Sequence, residues 1–224
     1  MKIFIVIPAL NEAKAIGQVV GELKKSNYEV VVVNDGSSDA TTQAAESAGA
    51  VVLNHLVNRG QGAALRTGIV YALHHAADII VTFDADGQHD ANDLAKLIHP
   101  VLDHTADVTL GSRFLHGSPS HMPFLRKLVL KTAVVFTKIA SGLKVTDTHN
   151  GLRAFSREAI EKIKINQDRM AHASEILDEI HRNKLKFVEV PITINYSDYS
   201  IAKGQSSFDF AKILIKYIMG RLMR

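Results

Sequence analysis

The chain has 224 residues, of which 46% are hydrophobic and 22% charged, with 14 Gly and 5 Pro. This composition excludes a disordered or collagenous chain and suits one large domain with a buried core. It contains no Cys, which removes disulfide frameworks, cysteine nucleophiles and thiolate-held metals. The net charge of +3 hides an uneven spread: residues 116–146 and 200–224 together carry +9, and the rest of the chain −6.

From the amino terminus, short β-rich apolar runs alternate with helical patterns. Ile3–Ile7 reads as a buried strand and not as part of a leader, because Asn11-Glu12 interrupts the apolar run and no small-residue cleavage site follows. A helix is expected over Ala13–Lys25, then a strand over Val30–Val33, whose four valines suit burial on both faces. There follow a helix at Asp39–Ala48, a strand at Ala50–Leu53, a helix at Gly62–His75, a strand at Ile79–Phe83, a helix at Ala91–Asp103 and a strand at Val108–Leu110. This alternation predicts an α/β fold, a mostly parallel sheet with helices on both faces. The second half differs in kind. It holds a helix at Met122–Ala140, a loop at Asp147–Phe155 entering a short strand, a helix at Ala171–Arg182, a strand at Phe187–Val190, a polar loop and a helix near Phe208–Met223. With no internal repeat or linker, residues 1–224 form a single expected domain. No run of 18 apolar residues occurs, so no bilayer span is expected. The absence of an export signal and of Cys sets the cytoplasm as the expected compartment.

Polar loops cluster after the strands: PALNE after the first, NDGSSD after the second, NRGQG after the third and FDADGQH after the fourth. In open α/β sheets, ligands bind outside the carboxyl ends of the strands, so these loops are expected to share one site. Asp84 and Asp86, one residue apart at a strand end with Gln88 beyond, offer hard oxygen ligands suited to Mg²⁺ or Mn²⁺. The same residues also suit a turn with a capping acid; Gly87 permits the turn, and Asp90 is available as the next N-cap. Ser37 to Asp39 suit a turn and N-cap, which leaves the Asp35 carboxylate available to a nucleobase or ribose. Asn58–Gly62 lacks the third glycine of a dinucleotide fingerprint, where Leu65 stands, and keeps only a helix N-terminus that can face an anion.

Taken in order, PALNE, NDGSSDAT, NRGQGAALRTG, FDADGQH, GSRF and DTHNGLRAF resemble the family-2 inverting glycosyltransferases, especially the dolichyl- and polyprenyl-phosphate sugar synthases. The resemblance covers about residues 3–155 and, more loosely, the EVPI and KGQSS stretches within Glu189–Ser207. It implies a GT-A nucleotide-diphospho-sugar transferase fold, with residues 1–112 as the nucleotide-sugar half, 113–207 as the acceptor half and 208–224 as a basic amphipathic helix. It further implies that Pro8, Ala9, Asn11, Glu12 and Asp35 contact the base and ribose of a UDP- or GDP-sugar. Asp84, Asp86 and Gln88 would hold the divalent metal on its diphosphate, and Arg113 and Arg153 would bind donor or acceptor phosphate; the looser KGQSS resemblance implies that Lys203 reaches the acceptor phosphate, and the residue equally suits a surface lysine. Two positions depart from the family pattern: it often has two acids at Asn34-Asp35 and a Lys at Gln61.

The implied acceptor decides the remaining chemistry. A sugar hydroxyl needs a general base, for which Asp147 is the acid placed by motif, whereas a phosphomonoester is already ionised near neutral pH. Asp147 equally suits orienting the loop that bears Arg153. Lys127, Lys131 and Lys138 fall within roughly a 40° arc of one helix. The C-terminal stretch mixes Phe208, Ile213, Leu214 and Tyr217 with Lys212, Lys216, Arg221 and Arg224. Both segments suit an anionic membrane surface, and equally a helix packed on the sheet with solvated lysines.

Among the histidines, His172 and Glu175 lie i,i+3 without a third ligand, a surface or core pair rather than a metal site. His89 and His149 fall inside the motifs, and Ser37 and Ser38 lack a nucleophile elbow. The expected activity is metal-dependent inverting transfer of a sugar to a polyprenyl phosphate, peripheral at the cytoplasmic membrane face, with a small integral membrane partner and no nucleic acid. Two alternatives stand beside it: elongation of a cell-surface saccharide at a sugar hydroxyl, and a non-catalytic nucleotide-sugar-binding subunit.

Overall fold

The computed structural model describes residues 1–115, 145–148 and 150–195. The helices expected at Met122–Ala140 and Phe208–Met223, together with His149 and Lys203, lie outside the described residues.

Seven strands form one sheet in the order β3-β2-β1-β4-β6-β5-β7. They are β1 (Ile3–Ala9), β2 (Glu29–Asn34), β3 (Val51–Asn54), β4 (Ile79–Thr82), β5 (Val108–Ser112), β6 (Arg153–Ser156) and β7 (Phe187–Pro191). All neighbouring pairs are parallel except the two made by β6, which runs against both β4 and β5. The expected mostly parallel sheet is therefore present, with one reversed strand inserted in its middle.

The helices are α1 (Ile16–Leu23), α2 (Thr41–Ser47), α3 (Gln61–His74), α4 (Asp93–Leu102), α5 (Arg157–Lys162) and α6 (His172–Arg182). Strand side chains alternate between two apolar layers. Phe4, Val6, Val31, Val33 and Ile80 face Ala64, Leu65 and Ile69 of α3 and Ile176, Leu177 and Ile180 of α6. Ile5, Ile7, Val30, Val32 and Val81 face Ile16 and Val20 of α1 and Leu94, Leu97 and Ile98 of α4. Helices thus cover both faces, and the four valines of β2 are buried on both, as their uninterrupted run predicts.

Observed limits fall within three residues of the predicted ones, and several coincide with them. The six-residue α5 is an addition, and its signal was present in the chain: Ser156 stands at the N-cap, its hydroxyl accepting from the Ala159 N–H, and Glu158 lies in the first turn. One capping assignment is corrected. Asp90 does not cap α4; its carboxylate accepts from the Asn92 N–H in a turn preceding the helix. Asp39 does hold the start of α2, accepting from the Thr41 N–H at 3.0 Å, and it also accepts from the Ala13 N–H of the neighbouring loop.

Reversal of β6 is what builds the site. Because Arg153 pairs with Thr82 and with Leu110, the residues preceding β6 lie over the carboxyl ends of β4 and β5. The Asn150–Leu152 loop thereby meets loops that arrive from the parallel half.

Candidate active site

A cavity of about 570 Å³ opens at the carboxyl ends of β1, β2 and β4. Here the chain order reverses, with β2 on one side of β1 and β4 on the other, a topological switch point where open α/β sheets place ligands.

Pro8, Ala9, Glu12 and Asp35 line one end. Asp35 is buried, and its carboxylate accepts from the Arg59 N–H at 3.0 Å, the Gly60 N–H at 2.7 Å and His55 Nδ1 at 2.8 Å. It faces the cavity and at the same time ties the loop after β3 to the end of β2. Asn11, expected beside it, is not a lining residue. Its side-chain oxygen accepts from the Ser38 N–H and hydroxyl, and its own N–H donates to Ser37 Oγ, clamping the first two loops together. Asn34 is likewise consumed by structure, bonding Thr42, Asn54 and the Ser37 N–H.

The start of α3 is in part tied to the fold. Its Ala63 N–H donates to the Asp168 carbonyl, Arg66 holds the Asp168 carboxylate at 2.8 Å, and the two preceding amides serve Asp35. Gly60 and Gly62 allow this approach: a Cβ on Gly62 would lie 2.0 Å from the Gln167 carbonyl. The 165–170 segment is thereby held against α3, and Arg169 and Met170 at its end join the cavity wall, which local sequence does not announce.

At the other end stand Asp84, Asp86 and Gln88, all lining the cavity. Asp84 accepts from His89 Nε2 at 3.0 Å and from Gln61 Nε2 at 3.3 Å. Burial opposes its ionisation, but the His89 bond and the positive groups nearby outweigh it and hold the carboxyl below the usual range. Asp86 moves the other way, raised by burial and by the neighbouring Asp84 charge despite its bond from the Gln88 N–H. A carboxylate whose charge is disfavoured by burial and by the neighbouring Asp84 suits a divalent cation shared between the two. Among the described residues no third His, Asp or Glu completes a cage. Such a pair fits Mg²⁺ or Mn²⁺ sharing its shell with substrate phosphate and water. Gly151 seals the arrangement, since a Cβ there would lie 2.4 and 2.5 Å from the two Asp84 oxygens. Thr82 Oγ1 donates to the Gly151 carbonyl at 2.6 Å and fixes that approach.

Arg113 lines the cavity, while Asp147 does not. Arg113 donates to Asp147 through Nε at 2.6 Å and through Nη2 at 2.7 Å, and the Arg113 N–H reaches the same carboxylate at 3.1 Å. The general-base expectation for Asp147 is corrected on this geometry: a buried carboxylate engaged by a bidentate guanidinium orients that cation and is closed off from an acceptor. Glu189 of β7 supports the pair from behind, accepting from the Thr146 N–H at 2.8 Å, Thr146 Oγ1 at 2.9 Å and the Asp147 N–H at 3.3 Å. This gives the EVPI stretch a physical task.

Arg153 is buried, and its guanidinium donates to the carbonyls of Asn150, Thr148 and Ala173. Desolvation lowers its pKa to about 10, which still leaves it charged at neutral pH. Its main work is to hold the loop before β6 against α6.

His172, expected as a surface or core group, lines the cavity, donating from Nδ1 to the Arg169 carbonyl at 2.9 Å. Burial, reinforced by Arg153, lowers its pKa to about 4. Glu175 faces the other way, onto the N–H groups of Asn166 and Gln167, so the two form no ligand pair. Nothing local in the sequence marks His172, because the wall that carries it is positioned by α3, about a hundred residues away.

Sheet order, switch-point cavity and paired carboxylates define the class as a GT-A nucleotide-diphospho-sugar transferase fold. The glycosyl transferase family 2 model matches residues 4–164. The chain therefore belongs to glycosyl transferase family 2 and is a glycosyltransferase. It is 34% identical to the UDP-N-acetylglucosamine–dolichyl-phosphate N-acetylglucosaminyltransferase of Methanococcus voltae, over 97% of this chain and 95% of that one. It is 30% identical to the polyprenol monophosphomannose synthase of Mycolicibacterium smegmatis, over 91% of this chain and 81% of that one. The fold matches that of glucosyl-3-phosphoglycerate synthase from Mycobacterium tuberculosis, crystallised with Mn²⁺, UDP-glucose and phosphoglyceric acid. That match has a TM-score of 0.74 at 19% identity and covers 97% of this chain and 77% of that one.

Proposed function

We propose that the protein transfers a sugar from a nucleoside-diphosphate donor to a polyprenyl phosphate, with inversion at the anomeric carbon. The observation that carries the choice of acceptor is the Arg113–Asp147 pair. With Asp147 closed off and Asp35 held by backbone amides, a hydroxyl acceptor would lack the base its motif assigned. A phosphomonoester, with a second pKa of about 6, arrives largely ionised and needs positioning rather than deprotonation. The names of the Methanococcus and Mycolicibacterium relatives agree with this acceptor.

In this reading Pro8, Ala9, Glu12 and Asp35 receive the nucleoside, and Arg113 meets phosphate at the opposite end. Asp84 and Asp86, with Gln88, would hold Mg²⁺ or Mn²⁺, in keeping with the Mn²⁺ of the M. tuberculosis neighbour. When bound, the ion supplies Lewis-acid stabilisation of the departing diphosphate. His89 orients Asp84 through one imidazole nitrogen, and Gly151 packs on the carboxylate and bars other positions for it. An acceptor phosphate oxygen then bonds the anomeric carbon as the bond to the diphosphate oxygen breaks, and the nucleoside diphosphate leaves. Among the described residues no helix is long and apolar enough to cross a membrane. The lipid would be met through the basic segments 116–146 and 200–224 at the cytoplasmic face, with a small integral membrane partner as a further candidate contact.

The test is purified protein with labelled UDP- and GDP-sugars, Mg²⁺ or Mn²⁺, and a polyprenyl phosphate. Labelled lipid should form with one donor and vanish in excess chelator. Transfer to saccharide hydroxyls with none to lipid phosphate would overturn the acceptor, and full activity in chelator would overturn the metal.

A further inference from the structure

Three arginines line the cavity, and two of them already have protein partners. Arg113 is forked onto Asp147, and Arg153 is buried among carbonyls. The third, Arg169, is exposed, and among the described residues its guanidinium has no hydrogen bond or ion pair. Its acidic neighbour is already taken, since Asp168 is held by Arg66 at 2.8 Å and approached by Arg59 at 4.0 Å.

The backbone beneath Arg169 is fixed on two sides. Its carbonyl accepts from the His172 N–H at 3.1 Å and from His172 Nδ1 at 2.9 Å. Its side-chain stem rests on Gly60, where φ is +110° and an added Cβ would come within 2.8 Å of Arg169 Cγ. Gly60 and Gln61 span the two ends of the cavity, the Gly60 N–H on the Asp35 carboxylate and the Gln61 amide on that of Asp84. A cation seated along this segment stands between the nucleoside end and the paired carboxylates. That is where a diphosphate lies in a donor stretched from one to the other.

We propose that Arg169 binds the diphosphate of the nucleotide-sugar donor, a role that rests on the function proposed above. A guanidinium on a pre-positioned stem can fork onto phosphate oxygens at little further entropic cost. The opposing carboxylates make a cation at this place more valuable to a dianionic ligand.

The experiment compares wild type, Arg169→Gln and Arg169→Lys by calorimetry with UDP, GDP, uridine and guanosine in the presence of Mn²⁺. It is followed by donor and acceptor KM in the transfer assay. Arg169→Gln should weaken the nucleoside diphosphate that the wild type binds by about tenfold or more, leaving the matching nucleoside within twofold. Arg169→Lys should fall between the two, and donor KM should rise while acceptor KM stays put. Unchanged diphosphate affinity, equal weakening of the nucleoside, or a rise confined to acceptor KM would each overturn the assignment to the donor. If the wild type binds neither diphosphate, the functional reading falls first and this one with it. Intact wild-type binding that Arg169→Gln leaves untouched overturns this proposal alone. Because the side chain is exposed, the melting temperature of Arg169→Gln should match wild type, which separates lost binding from lost folding.

Discussion

Two carboxylates stand at the ends of strands on either side of β1, and they are used differently. Asp35, after β2, has a side chain only 4% exposed and accepts from two backbone amides and a histidine. Asp84, after β4, remains 30% exposed, and among the described residues its hydrogen bonds come from the side chains of His89 and Gln61. Both line the cavity. The first has been drawn into the architecture of the loops, whereas the second keeps part of its carboxylate open to the cavity. An acid in a strand-end loop is therefore not chemical by position alone; its partners decide whether it shapes the site or acts in it.

That contrast is broken or kept by exchanging each acid for its amide. Asp84→Asn should reduce transfer by about 10³-fold at saturating donor, a loss on the scale of removing a principal electrostatic group from a site. Its melting temperature should stay close to wild type. Asp35→Asn should do the reverse. With charge-assisted bonds to Arg59 and Gly60 weakened, stability should fall by about 2 kcal/mol, donor KM should rise and kcat should largely survive. Denaturant titrations beside steady-state kinetics read both variants, and a large kcat loss with unaltered stability in Asp35→Asn would erase the distinction.

Gly151→Ala sharpens the same comparison without touching a charge. The added methyl would enter the space of the Asp84 carboxylate, at 2.4 and 2.5 Å from its oxygens, while Thr82 restrains the loop from retreating. A carboxylate displaced by an ångström should cost about 10²-fold in turnover, and the Mn²⁺ concentration for half-maximal activity should rise with it. Normal turnover in this variant would mean that Asp84 does not need its observed position.

What the sequence made legible follows from the range of the interactions involved. Apolar runs and loop motifs lie within a few residues, so the strands are legible from them, as is the gathering of Asp84, Asp86, Glu12 and Asp35 around one cavity. The antiparallel entry of β6 was not legible, because a four-residue run such as Arg153–Ser156 carries no mark of direction. The fates of Asp147 and Arg153 were equally hidden. One is decided by Arg113, 34 residues away, and the other by carbonyls on both sides of the cavity wall. Glu189 looked like part of a strand motif, and only the parallel pairing of β5 with β7 brings it beneath Thr146 and Asp147.

His172 tests the smallest effect and the most distant part of that wall. Its pKa in the folded protein is lowered to about 4 from 6.5, chiefly by burial, so the folded state keeps the imidazole neutral where an unfolded chain would protonate it. Above pH 6.5 both states are neutral and the residue adds no pH dependence. As the pH falls from 6.5 towards 4, the unfolded chain binds the extra proton, and stability must drop. Between pH 7.5 and pH 5 the loss should be about 2 kcal/mol in wild type. His172→Gln should remove most of that slope while keeping a polar group towards the cavity. Urea unfolding at the two pH values measures it directly. A slope unchanged in His172→Gln would mean that the imidazole is hydrated or protonated in the fold, and that the wall containing Arg169, Met170 and His172 stands open to water.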